Sequence, residues 1–96
     1  MPSKSLYMDI KYIPKRRTDI ISQDIDGESL ILDSNGGVIH QLNPTASMIW
    51  QNCDGSKSIS DIANILVENY LIDNDAAIKD VLETISSFQV KVLLNA

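Results

Sequence analysis

Gly36 to Trp50, GGVIHQLNPTASMIW, is the stretch that decides the fold, because it reads as a short strand running without slack into a capped helix. Val38, His40 and Leu42 alternate with Ile39 and Gln41, the period of a strand with one buried face. Asn43 offers a side-chain acceptor to an early helical N–H, and Pro44 has the fixed φ of a first helical position and no N–H to leave unpaired. Ala46, Ile49, Trp50 and Cys53 then fall on one helical face, and Gly55 reads as a left-handed stop.

Upstream, Ser34 to Gly37 predicts a turn that returns this strand beside Ser29–Asp33, and Asp26-Gly27 predicts a two-residue turn between that strand and Asp19–Ile25. The three strands form an antiparallel meander with the third at an edge, where unpaired backbone donors and acceptors face outward. Downstream, Ser58 or Ser60 caps a second helix with Ile62, Ala63, Leu66, Val67 and Tyr70 on one face. Asp73 and Asp75 flank the start of a third, on which Ile78, Val81, Leu82, Ile85 and Phe88 recur at helical spacing. Val90 to Leu94 reads as a short extended tail. The expectation is an α+β domain: a three-stranded antiparallel sheet followed by three helices, like a small winged helix-turn-helix.

Ninety-six residues, 44% hydrophobic and 22% charged, allow one small domain and not two. Residues 1–14 mix apolar and polar side chains without a sustained period and read as a flexible arm, one that orders on a partner or swaps onto a second copy to give a homodimer. Residues 15–96 form the domain proper. A single cysteine excludes an internal disulfide. The absence of a signal-like apolar run or a membrane-length segment points to a cytoplasmic location with no membrane partner.

Five of the eight basic residues, Lys15-Arg16-Arg17 among them, lie in residues 1–24, while ten of the thirteen acids lie beyond. That basic cluster reads as a solvated strand entrance, or as a contact for an acidic partner or phosphate. The acidic body argues against nucleic acid: the helix over 58–71 has no basic residue, and that over 74–88 sets Lys79 alone against Asp75, Asp80 and Glu83. A winged-helix DNA-binding regulator is therefore the weaker alternative, beside an arm-swapped oligomerisation module.

Catalytic constellations are missing from the sequence. His40 is the single histidine, which leaves no His-rich metal site and no ready nucleophile set, and no glycine-rich phosphate loop occurs. Asp73 and Asp75 are better explained as a helix cap than as cation ligands, and Trp50 and Cys53 as core than as ligand-stacking or nucleophilic groups. No enzymatic activity, metal or cofactor is expected.

The run from Gly37 to Asn43, then Pro44-Thr45-Ala46, Ile49-Trp50, Asp54-Gly55, Ile59, Ile62-Ala63, Tyr70 and Asp80-Val81, resembles the PqqD family, small proteins named for pyrroloquinoline quinone biosynthesis. The Leu-Asn-Pro-Thr-Ala-x-x-Ile-Trp core carries most of the likeness. The resemblance implies a RiPP recognition element, a non-catalytic adaptor that binds the leader segment of a ribosomally made precursor peptide. It would present the leader to a modifying enzyme such as a radical SAM protein, a cyclase or a leader protease. In such a domain the leader adds as a strand to the third strand and lies in a groove against the third helix. Carried over, Val38, Ile39, His40, Gln41 and Leu42 supply the edge, and Ile78, Lys79, Val81, Leu82 and Ile85 the helical wall, with His40 where the family often has an aromatic residue. The family commonly ends its third helix in Leu-x-x-x-Gly-Leu. Here Val92 stands at the glycine position, so the end of the groove is expected to differ in shape. Independently of the resemblance, an edge strand beside an apolar helix is what strand addition by a peptide requires.

Overall fold

The computed structural model describes residues 9–33 and 37–95. Three strands, β1 (Ile21–Ile25), β2 (Glu28–Asp33) and β3 (Val38–Gln41), precede three helices, α1 (Pro44–Gln51), α2 (Ile59–Tyr70) and α3 (Asn74–Val90). The sheet is antiparallel in the order β1-β2-β3. The expected α+β order is thus present, and the winged helix-turn-helix description is compatible with it.

Local chemistry sets each junction. Asp26 and Gly27 both take positive φ, 54° and 83°, the geometry that lets a two-residue hairpin follow the strand twist. The turn expected over Ser34 to Gly37 lies outside the described residues except for Gly37, whose φ is 66°. Asn43 accepts from the Ala46 N–H at 2.8 Å, Ser58 and Asp61 form a reciprocal capping box, and Asp73 accepts from Ala76 N–H at 2.8 Å.

β1 starts at Ile21 rather than Asp19, and two helix ends depart from the sequence reading. α1 ends at Gln51 rather than at Gly55, because the chain turns at Asn52, whose N–H bonds back to Met48 and Ile49. α3 includes Val90, which was expected in an extended tail. Beyond it Val92 adopts a left-handed φ of 58°, with Leu93 N–H donating to Phe88 O at 2.9 Å and Val92 N–H to Gln89 O at 3.0 Å. That is a Schellman closure, with buried Leu93 packed over the helix end beside Phe88. The valine therefore takes the left-handed conformation that glycine favours, at the cost of backbone strain.

The core joins one sheet face to all three helices. Ile31 is its sheet residue, while Leu30 and Leu32, its neighbours in β2, point to the other face. Trp50 and Phe88 meet edge to face at 5.4 Å, surrounded by Ile49, Ile59, Ile62, Leu66 and Ile85. Trp50 Nε1 is buried without a hydrogen-bond partner. Cys53 is fully buried, and burial pushes its thiol up to about 12, consistent with a core role.

The basic cluster is structural. Arg16 donates from Nη1 to Trp50 O and Gln51 O, both at 2.8 Å, and its guanidinium lies 5.7 Å from the Trp50 ring centroid; it satisfies the open end of α1. Arg17 donates to Val92 O at 2.8 Å and pairs with Asp19 and Asp33, tying the end of α3 to the end of β2. Residues 10–15 thread past the α1–α2 connection: Pro14 O accepts from Gly55, Tyr12 O from Ile59 and Ile10 O from Ser60. Within that connection, hydrogen bonds from Ser56 and Lys57 hold the Asp54 carboxyl well below the usual range. Residues 1–8 of the expected arm lie outside the described residues.

Candidate functional site

Among the described residues β3 is an edge strand, and its register shows which backbone groups are open. Leu42 N–H donates to Ser29 O at 2.9 Å, one step beyond the Gln41↔Leu30 pair. Since donor direction alternates along an antiparallel strand, Leu42, His40 and Val38 turn their N–H and C=O toward β2, and Ile39 and Gln41 turn theirs away. Two residues of β3 therefore offer backbone donors and acceptors to an incoming strand.

The side chains of β3 follow the same alternation. Val38, His40 and Leu42 share the face of buried Ile31, with Leu42 in the core, His40 half-buried and Val38 45% exposed. Ile39 is 68% exposed on the opposite face, in a cross-strand row with Leu32 and Ile21.

The strand is fixed to α1 by a serine the sequence reading did not single out. Ser47 Oγ accepts from Ser29 N–H at 2.7 Å and donates to Leu42 O at 3.1 Å. It replaces the second direct bond of the Ser29–Leu42 pair, so the ladder continues through a helix side chain exactly where β3 gives way to α1.

An open cleft of about 280 Å³ begins at this corner. Gln41, Leu42, Asn43 and Ala46 form one wall; Glu83, Thr84, Ser87, Phe88 and Lys91 form the other. Of the residues carried over for the helical wall, Ile78, Lys79, Val81, Leu82 and Ile85, none lines this cleft; α3 meets it with Glu83, Thr84, Ser87, Phe88 and Lys91. Val81 and Ile85 are fully buried and present no surface, and Leu42 is a floor residue rather than an edge contact. Ile78 and Leu82 pack against the core, and at about 100° per residue they lie between about 100° and about 180° round the helix from Glu83 and Ser87. Exposed Lys79 does not line the cleft either. The helical wall is instead a polar flank one step round from the buried stripe, which a search for apolar periodicity passes over.

A larger cavity, about 490 Å³, lies near β1 between Lys15, Arg17, Ile21 and Cys53. Its size does not make it the better site, because the guanidiniums of Arg16 and Arg17 are already engaged with helix ends and carboxylates. Among the described residues no group of three or more His, Cys, Asp or Glu is placed to hold a metal, and no helix is long and apolar enough to cross a membrane.

Residues 28–94 match the family model described as coenzyme PQQ synthesis protein D (PqqD). No curated protein matches the chain. Among solved structures, it is similar to TbiB1 in complex with the TbiA(beta) leader peptide, at 23% identity and a TM-score of 0.79 over 85% of this chain and 95% of that one. It is similar to lasso peptide synthetase B1 complexed with the leader peptide, at 25% identity and 0.79, over 88% of this chain and all of the other. It also matches the solution structure of the PqqD truncation of Methylobacterium extorquens PqqCD, a stand-alone RiPP recognition element, at 18% identity and 0.78, over 98% and 100%.

Proposed function

This chain belongs to the PqqD family, and from that premise we propose that it is a non-catalytic adaptor that binds the leader segment of a ribosomally made precursor peptide. The leader adds as a strand to β3 and lies along the cleft toward α3, within a binding unit formed by residues 15–96. The bound leader is thereby presented to a modifying enzyme such as a radical SAM protein, a cyclase or a leader protease.

The observation that carries the reading is the edge itself. Ile39 and Gln41 hold outward backbone groups in fixed register, beside a cleft whose far wall is a helix. Backbone bonds of this kind supply affinity with little dependence on sequence, while the neighbouring wall selects side chains. Val38, Ile39, His40 and Gln41 are the strand contacts. Leu42, Val81 and Ile85 act from beneath, holding the strand and helix in place.

The test is calorimetric titration of the full chain with leader peptides encoded beside its gene, with backbone amide shifts followed on the same samples. Saturable binding, with shifts concentrated over residues 38–43 and 83–91, is expected. Absence of binding to a folded protein by every such leader would overturn the reading.

A further inference from the structure

The cleft carries a charge at each end and none between. Glu83 and Lys91 are its charged side chains; both are exposed, and neither joins an ion pair among the described residues. Between them lie Thr84 and Ser87, over a floor of Leu42 and Phe88. The side-chain amide of Gln41 is turned to Glu28 at 3.0 Å, which leaves the helical wall to do the reading.

Geometry converts this spacing into a peptide pattern. Residues 83 and 91 are eight apart, so with a rise of about 1.5 Å per residue they stand about 12 Å apart along α3. An extended strand covers that length in about three to four residues. Only even separations place two side chains on one face of a strand, which selects four. The direction follows from Arg17, which joins Val92 O to Asp33, the partner of Val38. α3 thus ends near the start of β3, while Glu83, about two turns earlier, lines the cleft at the other end of the strand with Gln41, Leu42 and Asn43, so the two run broadly antiparallel. A strand added antiparallel to β3, the pairing that is more stable per residue, meets Glu83 first and Lys91 second.

We propose that this protein selects peptide strands bearing a basic residue at one position and an acidic residue four positions later, with a small or apolar side chain midway over Leu42 and Phe88. Glu83 and Lys91 are the specificity-determining pair. The inference rests on strand addition to β3 and names the chemistry of the peptide that adds.

The experiment is selection of a displayed library of random 14-residue peptides on the immobilised full chain, run in parallel on the charge-swapped double variant Glu83→Lys, Lys91→Glu. Both sites are exposed, and circular dichroism serves as the check that the variant folds. The wild type is expected to enrich basic-x-x-x-acidic peptides and the swapped variant the reverse order. Synthetic peptides of the two orders should exchange rank between the proteins, with Kd changing by about threefold for each exposed pair and less at high salt. Peptides that bind and shift the β3 amides but show no charge preference, the opposite order, or a preference unmoved by the swap would overturn the inference and leave strand addition standing. Failure of every peptide to bind the folded wild type would remove both.

Discussion

Replacing Ser47 with alanine tests how β3 is held to α1. Ser47 is 1% exposed and Ser29 2% exposed, so neither the Ser29 N–H nor the Leu42 carbonyl can turn to water once Oγ is gone. A buried backbone group left without its partner costs about 1–3 kcal/mol. Two such groups set an upper range, and two effects reduce it: the strand closes in part toward a direct Ser29–Leu42 bond, and alanine is the better helix former by about half a kcal/mol. The expected net loss is about 2 kcal/mol, with a melting temperature lower by about 8–16 °C for a chain of this size.

Trp50, buried and single, is a natural fluorescence reporter for the measurement. Urea unfolding should show a lower midpoint with an unchanged slope, since the surface exposed on unfolding is the same. Ser86→Ala, within α3 and half-buried, controls for propensity and should be neutral or slightly stabilising. A loss below about 0.5 kcal/mol for Ser47→Ala would refute the bridging role, as it would fall to the level of an ordinary surface substitution.

Val92→Gly should stabilise. A left-handed L-residue costs about 1–2 kcal/mol and glycine gives back about 0.5–1 in unfolded-chain entropy, so the midpoint in urea should rise by the equivalent of about 0.5–1 kcal/mol, and a lower midpoint would contradict the strain. Cys53 holds its proton more tightly folded than unfolded, so its contribution is complete below the ordinary thiol range and is lost as pH rises from about 9 toward about 12. Stability of the wild type should therefore fall more steeply over that window than that of Cys53→Ala, and parallel pH profiles would count against burial as the cause. Ile39→Pro should spare the fold, because the lost N–H faces away from β2, while raising Kd for a leader peptide by about tenfold through one missing ladder bond. His40→Pro should instead lower stability by removing a bond to β2; equal effects of the two prolines on folding, read by circular dichroism melts, would refute the register.

The elements were legible wherever a residue acts on its own neighbours. Asn43-Pro44, Asp26-Gly27, Ser58 and Asp73 each cap or turn the chain within three residues, and each does so in the structure. Residues that act across the chain were not. Arg16 and Arg17 read as a basic patch, yet they reach 34 and 75 residues along the sequence to close the ends of α1 and α3. Neither helix carries a basic residue in its own last turn, which was a signal that its terminal carbonyls would be met from elsewhere.

The site divides along the same line. Strand β3 could be placed at an edge from local pattern, since its alternation, turn and helix cap are all contiguous. The wall opposite it depends on which flank of α3 turns inward, and that is decided by how α1 and α2 carry the chain back over the sheet. Apolar periodicity finds the stripe that packs, here Ala77, Val81, Ile85 and Phe88, and these side chains are spent on the core. A surface that must stay solvated until a peptide arrives is better built from side chains such as Glu83, Thr84, Ser87 and Lys91, which water satisfies in the free protein. Their polarity hid them from a search for hydrophobic grooves. The same polarity makes charge at Glu83 and Lys91, rather than apolar fit alone, the means by which α3 can tell one strand from another.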